Sequence, residues 1–303
     1  MLLMGAFVHA AGIAWAWAAT PIRSLPAVRA VNGERAYGYL VAQCRFGPRN
    51  PGSAGHEAAL RYLVRELRGL TDTVETMHFQ PIDSHGRRVP PMTNIIARIA
   101  PNRRKRYLLC AHWDTRPRAE YDRDPARRGA PIIGANDGAS GVAVLLEVAN
   151  VLAAHPPSVG VDIALFDGED YGEEGDLDDY CLGSREYARG RWQAPPELGV
   201  LVDMVGDRDL HLPVEQNSRE AAPQVVERVW SAAARLGEVA FDRRTGPRVY
   251  DDHLPLIEAG WPVIDVIDFS YPYWHTQGDT PERCAPQSLA AVARVLVAVV
   301  EGY

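Results

Sequence analysis

The chain has 303 residues, 47% of them hydrophobic and 23% charged, and a formal net charge of −7. These values suit a soluble globular protein of one large α/β domain or two smaller ones, and the acidic balance argues against nucleic acid as a partner. Cys44, Cys110, Cys181 and Cys284 are far apart and form no C-x-x-C pair, which excludes a zinc ribbon, a thioredoxin-like motif and a disulfide scaffold.

Residues 1–18 are almost wholly apolar and end in Ala16-Trp17-Ala18. They read as a signal peptide cleaved before Ala19, although no Lys or Arg precedes Arg23. The expectation is a single catalytic domain over 19–303, monomeric and exported to a periplasm or secreted; a retained leader would instead anchor it to a membrane. No later stretch is long and apolar enough to span a bilayer.

A helix is predicted over 28–44, followed by a loop over 46–56 dense in Gly, Pro, Asn and Ser. Leu60, Leu63, Val64 and Leu67 share one helical face. Strands are predicted over 73–79 and 93–99, and then strands and helices alternate: strand 107–111, helix 140–154, strand 161–166, strand 200–205, helix 223–236, strand 263–267 and helix 286–300. The run 161–166 is apolar except for Asp162, as in a strand covered on both faces. This alternation predicts an α/β fold with a mainly parallel sheet between helical layers. Arg103 to Arg106 reads as a solvated turn. Cys110 ends an apolar run and reads as a buried thiol. Two long loops, 115–131 and 171–180, read as functional rims; the second is acidic but lacks the spacing of a calcium loop.

Ligand-type side chains gather at the ends of these apolar runs: His112-Trp113-Asp114, Asn136-Asp137-Gly138, Asp167-Gly168-Glu169-Asp170, Asp203 and Trp274-His275. Carboxylates with imidazole and no cysteine suit zinc in a catalytic role. Neighbouring Glu169 and Asp170 can divide the work, one binding metal and the other moving protons. Asp137 lies among Gly134, Gly138 and Gly141 just before a helix, where a helix cap is the plain alternative. A phosphate loop is a third reading, but both G-x-G-x-x-G and the P-loop Lys are missing.

Taken in order, Phe46-Gly47-Pro48-Arg49, Pro51-Gly52-Ser53, Thr93-Asn94-Ile95-Ile96, Ala111 to Asp114, Asn136 to Gly141, Phe166 to Asp170, Leu182-Gly183-Ser184-Arg185, Asp251-Asp252-His253 and Trp274-His275-Thr276 resemble the motifs of glutaminyl-peptide cyclotransferases. These are the animal-type glutaminyl cyclases and their bacterial relatives, and the resemblance covers nearly all of the chain after the leader. It implies a three-layer α/β sandwich, zinc-exopeptidase-like, with a central mixed and mostly parallel sheet flanked by helices. It also implies Zn2+ held by Asp137, Asp170 and His275, with Glu169 as general acid/base. Asp203 and one of Asp251 or Asp252 would support it, and Trp274 and Trp113 would bind substrate, the N-terminus of a peptide. Many members carry Glu-Glu where this chain has Glu169-Asp170, so the ligand is one methylene shorter. Val142 stands where the animal enzymes have cysteine, so no disulfide is expected at Cys110.

The resemblance implies conversion of N-terminal glutamine to pyroglutamate with release of ammonia, using one zinc. A zinc aminopeptidase stays open beside it: His112 and Asp203 would add a second metal, Asp137 would bridge the two, and Glu169 would deprotonate a shared water. A non-enzymatic binding module on the same fold is a third reading.

Overall fold

Apolar runs build the sheet, and the sheet carries the site at one edge. The computed structural model describes residues 21–71, 73–190 and 195–303; the leader read in residues 1–18 lies outside the described residues. Two helices open it, α1 (Pro26–Ala30) and α2 (Gly33–Cys44). One continuous helix was expected here. The break falls at Val31 and Asn32, which are extended, because the Asn32 side chain caps α2 by accepting from Arg35 N at 3.0 Å. Buried Glu147 holds the join, accepting from Asn32 N and Arg35 Nε, each at 2.7 Å.

Next come α3 (Ala54–Arg68), β1 (Val74–Phe79), β2 (Met92–Ile99), β3 (Arg106–His112), α4 (Ala139–Ala154), β4 (Gly160–Phe166), α5 (Leu182–Arg189) and β5 (Leu198–Asp203). The chain continues through β6 (Leu212–Val214), α6 (Gln216–Ala221), α7 (Pro223–Leu236), β7 (Phe241–Thr245), α8 (His253–Glu258), β8 (Val263–Ile267) and α9 (Pro286–Val300). Among the described residues six strands form one sheet in the order β1-β2-β4-β3-β5-β8. Strands β4, β3, β5 and β8 run parallel, whereas β2 joins β4 and β1 joins β2 antiparallel.

Alternation along the strands separates the layers. Leu109, Ala111, Ile163, Leu165, Val200 and Val202 pack in one core with α2, α4, α7 and α9. Leu108, Cys110, Ala164, Phe166 and Leu201 pack in the other with Tyr187 of α5 and Leu256 of α8. This is a three-layer sandwich around a mixed sheet. Asp162 interrupts the apolar run without cost, because Arg106 reaches its two oxygens at 2.6 and 2.9 Å. Lys105 pairs with Glu197 at 2.5 Å, so the basic tract is surface structure. All four cysteines are buried free thiols, in keeping with the missing partner of Cys110.

The fifth strand ends two residues earlier than expected, at Asp203, because Met204 turns into left-handed backbone (φ 47°). Strands β6 and β7 pair only with each other; β6 is three residues with a central proline and β7 is mostly polar, so neither shows a strand pattern. The Gly- and Pro-rich loop before α3 is fixed by Arg49. Its fully buried guanidinium donates to the carbonyls of Trp113 (3.1 Å), Ile133 (2.9 Å) and Gly134 (2.8 Å). Arg49→Ala leaves three buried carbonyls without donors and should cost at least about 3 kcal/mol. Urea unfolding checks this, and an unchanged midpoint would contradict it.

Candidate metal centre and active site

Parallel strands bring their carboxyl ends to a common edge, where side chains converge. His112 and Asp203 are the last residues of β3 and β5, Glu169 and Asp170 follow β4, Asp137 precedes α4, and His275 follows β8. Small residues allow the close approach. A Cβ on Gly138 would lie 2.4 Å from His112 Nε2, and one on Gly141 would lie 2.2 Å from the Val202 carbonyl. Backbone strain also collects here. Among the described residues four non-glycine residues have positive φ, and Cys181, Met204 and His275 adjoin the site.

Asp137, Asp170 and His275 offer ligand atoms within 4.8 Å of one another. His275 Nε2 lies 3.1 Å from Asp170 Oδ1 and 3.6 Å from Asp137 Oδ2. Asp137 Oδ2 and Asp170 Oδ2 are buried without a hydrogen-bond partner. Unpaired buried carboxylate oxygens are costly, and two of them beside an imidazole form an oxygen-nitrogen donor set that fits zinc. The shorter Asp170 therefore still reaches the centre. A second cluster lies alongside: His112 Nε2 is 3.1 Å from both Asp137 Oδ1 and Asp203 Oδ1. Asp203 Oδ1 also accepts from Met204 N at 2.8 Å, while His112 Nδ1 is buried without a partner.

Buried aspartates hold these loops by their backbone. Asp114 accepts from Glu169 N at 3.1 Å and Asp170 N at 3.3 Å. Asp279 accepts from Asn136 N at 2.8 Å, Asp137 N at 3.1 Å and the Tyr271 hydroxyl at 2.8 Å. Asp167 accepts from Thr93 N at 2.6 Å and faces His56 Nε2 at 2.9 Å. Arg116 donates to the Asp170 carbonyl at 3.0 Å, with its guanidinium 3.6 Å from Asp170 Oδ1. Burial alone would raise the Asp170 carboxyl, but His275 and Arg116 outweigh it and hold the group below its usual range.

Glu169 is buried, forms no ion pair among the described residues and meets Cys181 Sγ at 3.7 Å. Burial, then the charge of Asp170, pushes its carboxyl well above the ordinary range. Behind it, burial and then Asp203 push Asp251 up to about 7. Of the two candidates it is Asp251 that faces Asp203. Asp252 accepts from the Ser184 hydroxyl at 2.5 Å, which leaves Asp251 as the one of the pair beside Asp203. Asp251 also groups with buried His253 and Asp265.

Trp274 lies on the pocket wall, tilted over His275 at 4.0 Å between ring centroids and stacked on Tyr121 at 5.0 Å. The pocket, about 220 Å³, is also lined by Phe269, Tyr250 and Arg116. Trp113 does not line it, which corrects the expectation that it binds substrate. It is fully buried, stacked on His56 at 4.3 Å, with its indole N–H donating to the Thr93 carbonyl at 3.0 Å. The acidic loop shows no calcium arrangement among the described residues; its Asp179 accepts from Ser84 N and Oγ at 2.7 and 2.9 Å. Arg116, Tyr121 and Asp279 went unassigned by sequence. Asp279 sits four residues after His275, but nothing local distinguishes Arg116 from the other arginines of its loop.

The family model of Peptidase family M28 matches residues 94–300. A glutaminyl-peptide cyclotransferase from Bothrops jararaca is 27% identical, covering 84% of this chain and 77% of its own length. The crystal structure of Bacteroides thetaiotaomicron glutaminyl cyclase superposes with a TM-score of 0.87 at 34% identity, covering 90% of this chain and 98% of that one. A Zn-dependent exopeptidase from Parabacteroides distasonis gives a TM-score of 0.86 at 36% identity, covering 90% and 99%.

Outer partners set the orientation of metal ligands, and their loss typically weakens binding about 10- to 100-fold. Asp114→Ala, which frees the backbone of Glu169 and Asp170, should weaken zinc binding by about that factor in competition with a chelator. Unchanged affinity would contradict the clamp.

Proposed function

The chain belongs to Peptidase family M28, and within it we propose that it is a zinc-dependent glutaminyl-peptide cyclotransferase using one metal ion. The observation that carries the reading is the pairing of one unsatisfied donor set with one free buried acid. Asp137 Oδ2 and Asp170 Oδ2 are carboxylate oxygens without a partner, whereas Asp137 Oδ1 and Asp203 Oδ1 both face His112 Nε2 at 3.1 Å. Asp137, Asp170 and His275 would hold zinc, which when bound would polarise the γ-carbonyl of an N-terminal glutamine.

The chain's own residues do the rest. The aromatic wall of Trp274, Tyr121 and Phe269 confines the glutamine so that its α-amino group folds back toward its own γ-carbonyl. Glu169 accepts a proton from that amine as the nitrogen–carbon bond forms. It returns the proton to the γ-amide nitrogen as the carbon–nitrogen bond breaks, leaving pyroglutamate and ammonia. Asp114 keeps Glu169 and Asp170 in register through their backbone N–H groups.

A two-metal aminopeptidase is the second reading, favoured by the convergence of His112, Asp137 and Asp203 and by the likeness to a Zn-dependent exopeptidase. It would require a second zinc to displace the contacts of His112 Nε2 with Asp137 Oδ1 and Asp203 Oδ1, as the first would displace that of His275 Nε2 with Asp170 Oδ1.

Glu169→Gln should retain zinc and lose about 10²- to 10⁴-fold in turnover of an N-terminal glutamine peptide, the range of general acid–base catalysis. Activity near that of the parent would remove Glu169 from the mechanism. His275→Ala should lower zinc content; full occupancy after dialysis would remove His275 from the ligand set.

A further inference from the structure

Among the described residues five large hydrophobic side chains are exposed, and Tyr121, Leu177 and Phe269 all stand around the active-site pocket. Exposed apolar groups gathered at one place mark a contact surface, whereas single ones do not. Phe269 has a second role. It lies tilted on Trp274, 4.9 Å between centroids, and its other side forms part of a separate outer pocket of about 350 Å³. That pocket is walled by Pro213, Thr245, Pro247 and His211, on the small β6–β7 sheet and the segment after it. Its charges are mutually paired: Arg244 Nε lies 2.5 Å from Asp242 Oδ2, and His211 Nε2 lies 3.2 Å from the same oxygen.

We infer that the outer pocket is a subsite for the substrate's own downstream residues, and that it takes apolar side chains. This rests on the cyclotransferase reading. A glutamine with its side chain folded at the metal centre must send the rest of its peptide outward, since the inner pocket, at about 220 Å³, has room for little beyond the first residues. Phe269 is shared by both pockets and gives the peptide a continuous apolar path between them. With its charges already paired, the outer pocket offers a proline and phenylalanine surface to an apolar side chain and no free charge to a polar one. The neighbouring strand β7 belongs to a separate two-stranded sheet.

The test compares zinc-loaded protein on Gln-Ala-amide, Gln-Ala-Ser-Ser-amide and Gln-Ala-Phe-Leu-amide, with ammonia release as readout. Burial of an apolar side chain predicts a kcat/KM about fivefold or more higher for the Phe-Leu peptide than for the other two. Thr245→Trp, an exposed position at the outer pocket, should fill it. It should abolish that advantage while leaving Gln-Ala-amide within about twofold of the parent. Equal kcat/KM on the three peptides overturns the subsite, as does an advantage that survives Thr245→Trp. Should that variant fail to fold, the comparison of Phe-Leu with Ser-Ser on the parent decides alone. Failure to cyclise even Gln-Ala-amide overturns the proposed function, and the subsite with it.

Discussion

Buried negative charge at the strand ends is the constraint on which the site depends. Asp114, Asp137, Glu169, Asp170, Asp203 and Asp251 are all buried at or behind one edge of the sheet. Water cannot solvate them, so each must find a proton, a cation or several N–H donors. The structure uses all three. Backbone amides satisfy Asp114, and imidazole and guanidinium groups hold Asp170 ionised. Burial raises the proton affinity of Glu169 and Asp251, which suits Glu169 to take up a proton and return it. Oxygens of Asp137, Asp170 and Asp251 remain without a hydrogen-bond partner, and at the first two the proposed zinc would complete the balance.

The fold makes that concentration of charge possible. Four parallel strands aim their carboxyl ends at one place, and the residues just past those ends need not alternate in and out. Backbone clamps then convert loops into rigid mounts. Asp279, one turn beyond His275, fixes the backbone of Asp137, and Asp114, two residues after His112, fixes that of Asp170. Asp137 and Asp170 are thus each positioned by an acid from another loop, so the pieces of the site register against one another. Arg49 extends the same arrangement outward, tying the loop before α3 to the carbonyls on either side of the site.

Much of this was legible in the sequence because strong apolar runs mark the strands, and polar residues at their ends stand out against them. Asp137, Glu169, Asp170, Asp203 and His275 stand out in that way and do converge, and the ordered motifs suggest the roles proposed for them. Side-chain direction was not legible. Trp113 and Trp274 both neighbour a histidine of the site, yet Trp113 packs beneath the loops and Trp274 faces the pocket. Asp251 and Asp252 differ likewise, because α8 begins immediately after them and turns their side chains apart. Strands β6 and β7 went unseen because three residues around a proline, and five that are mostly polar, carry little periodic signal. The break between α1 and α2 depends on an Asn cap reinforced by Glu147, more than a hundred residues later in the chain.

The most direct measurement is incubation of purified, metal-quantified protein with Gln-Ala-amide and, separately, Leu-Ala-amide, read by mass spectrometry. A one-zinc cyclotransferase releases one ammonia from the first, leaves the second unchanged and carries about one zinc ion per chain. Release of free leucine, with about two zinc ions per chain as in a paired-metal hydrolase, would contradict it.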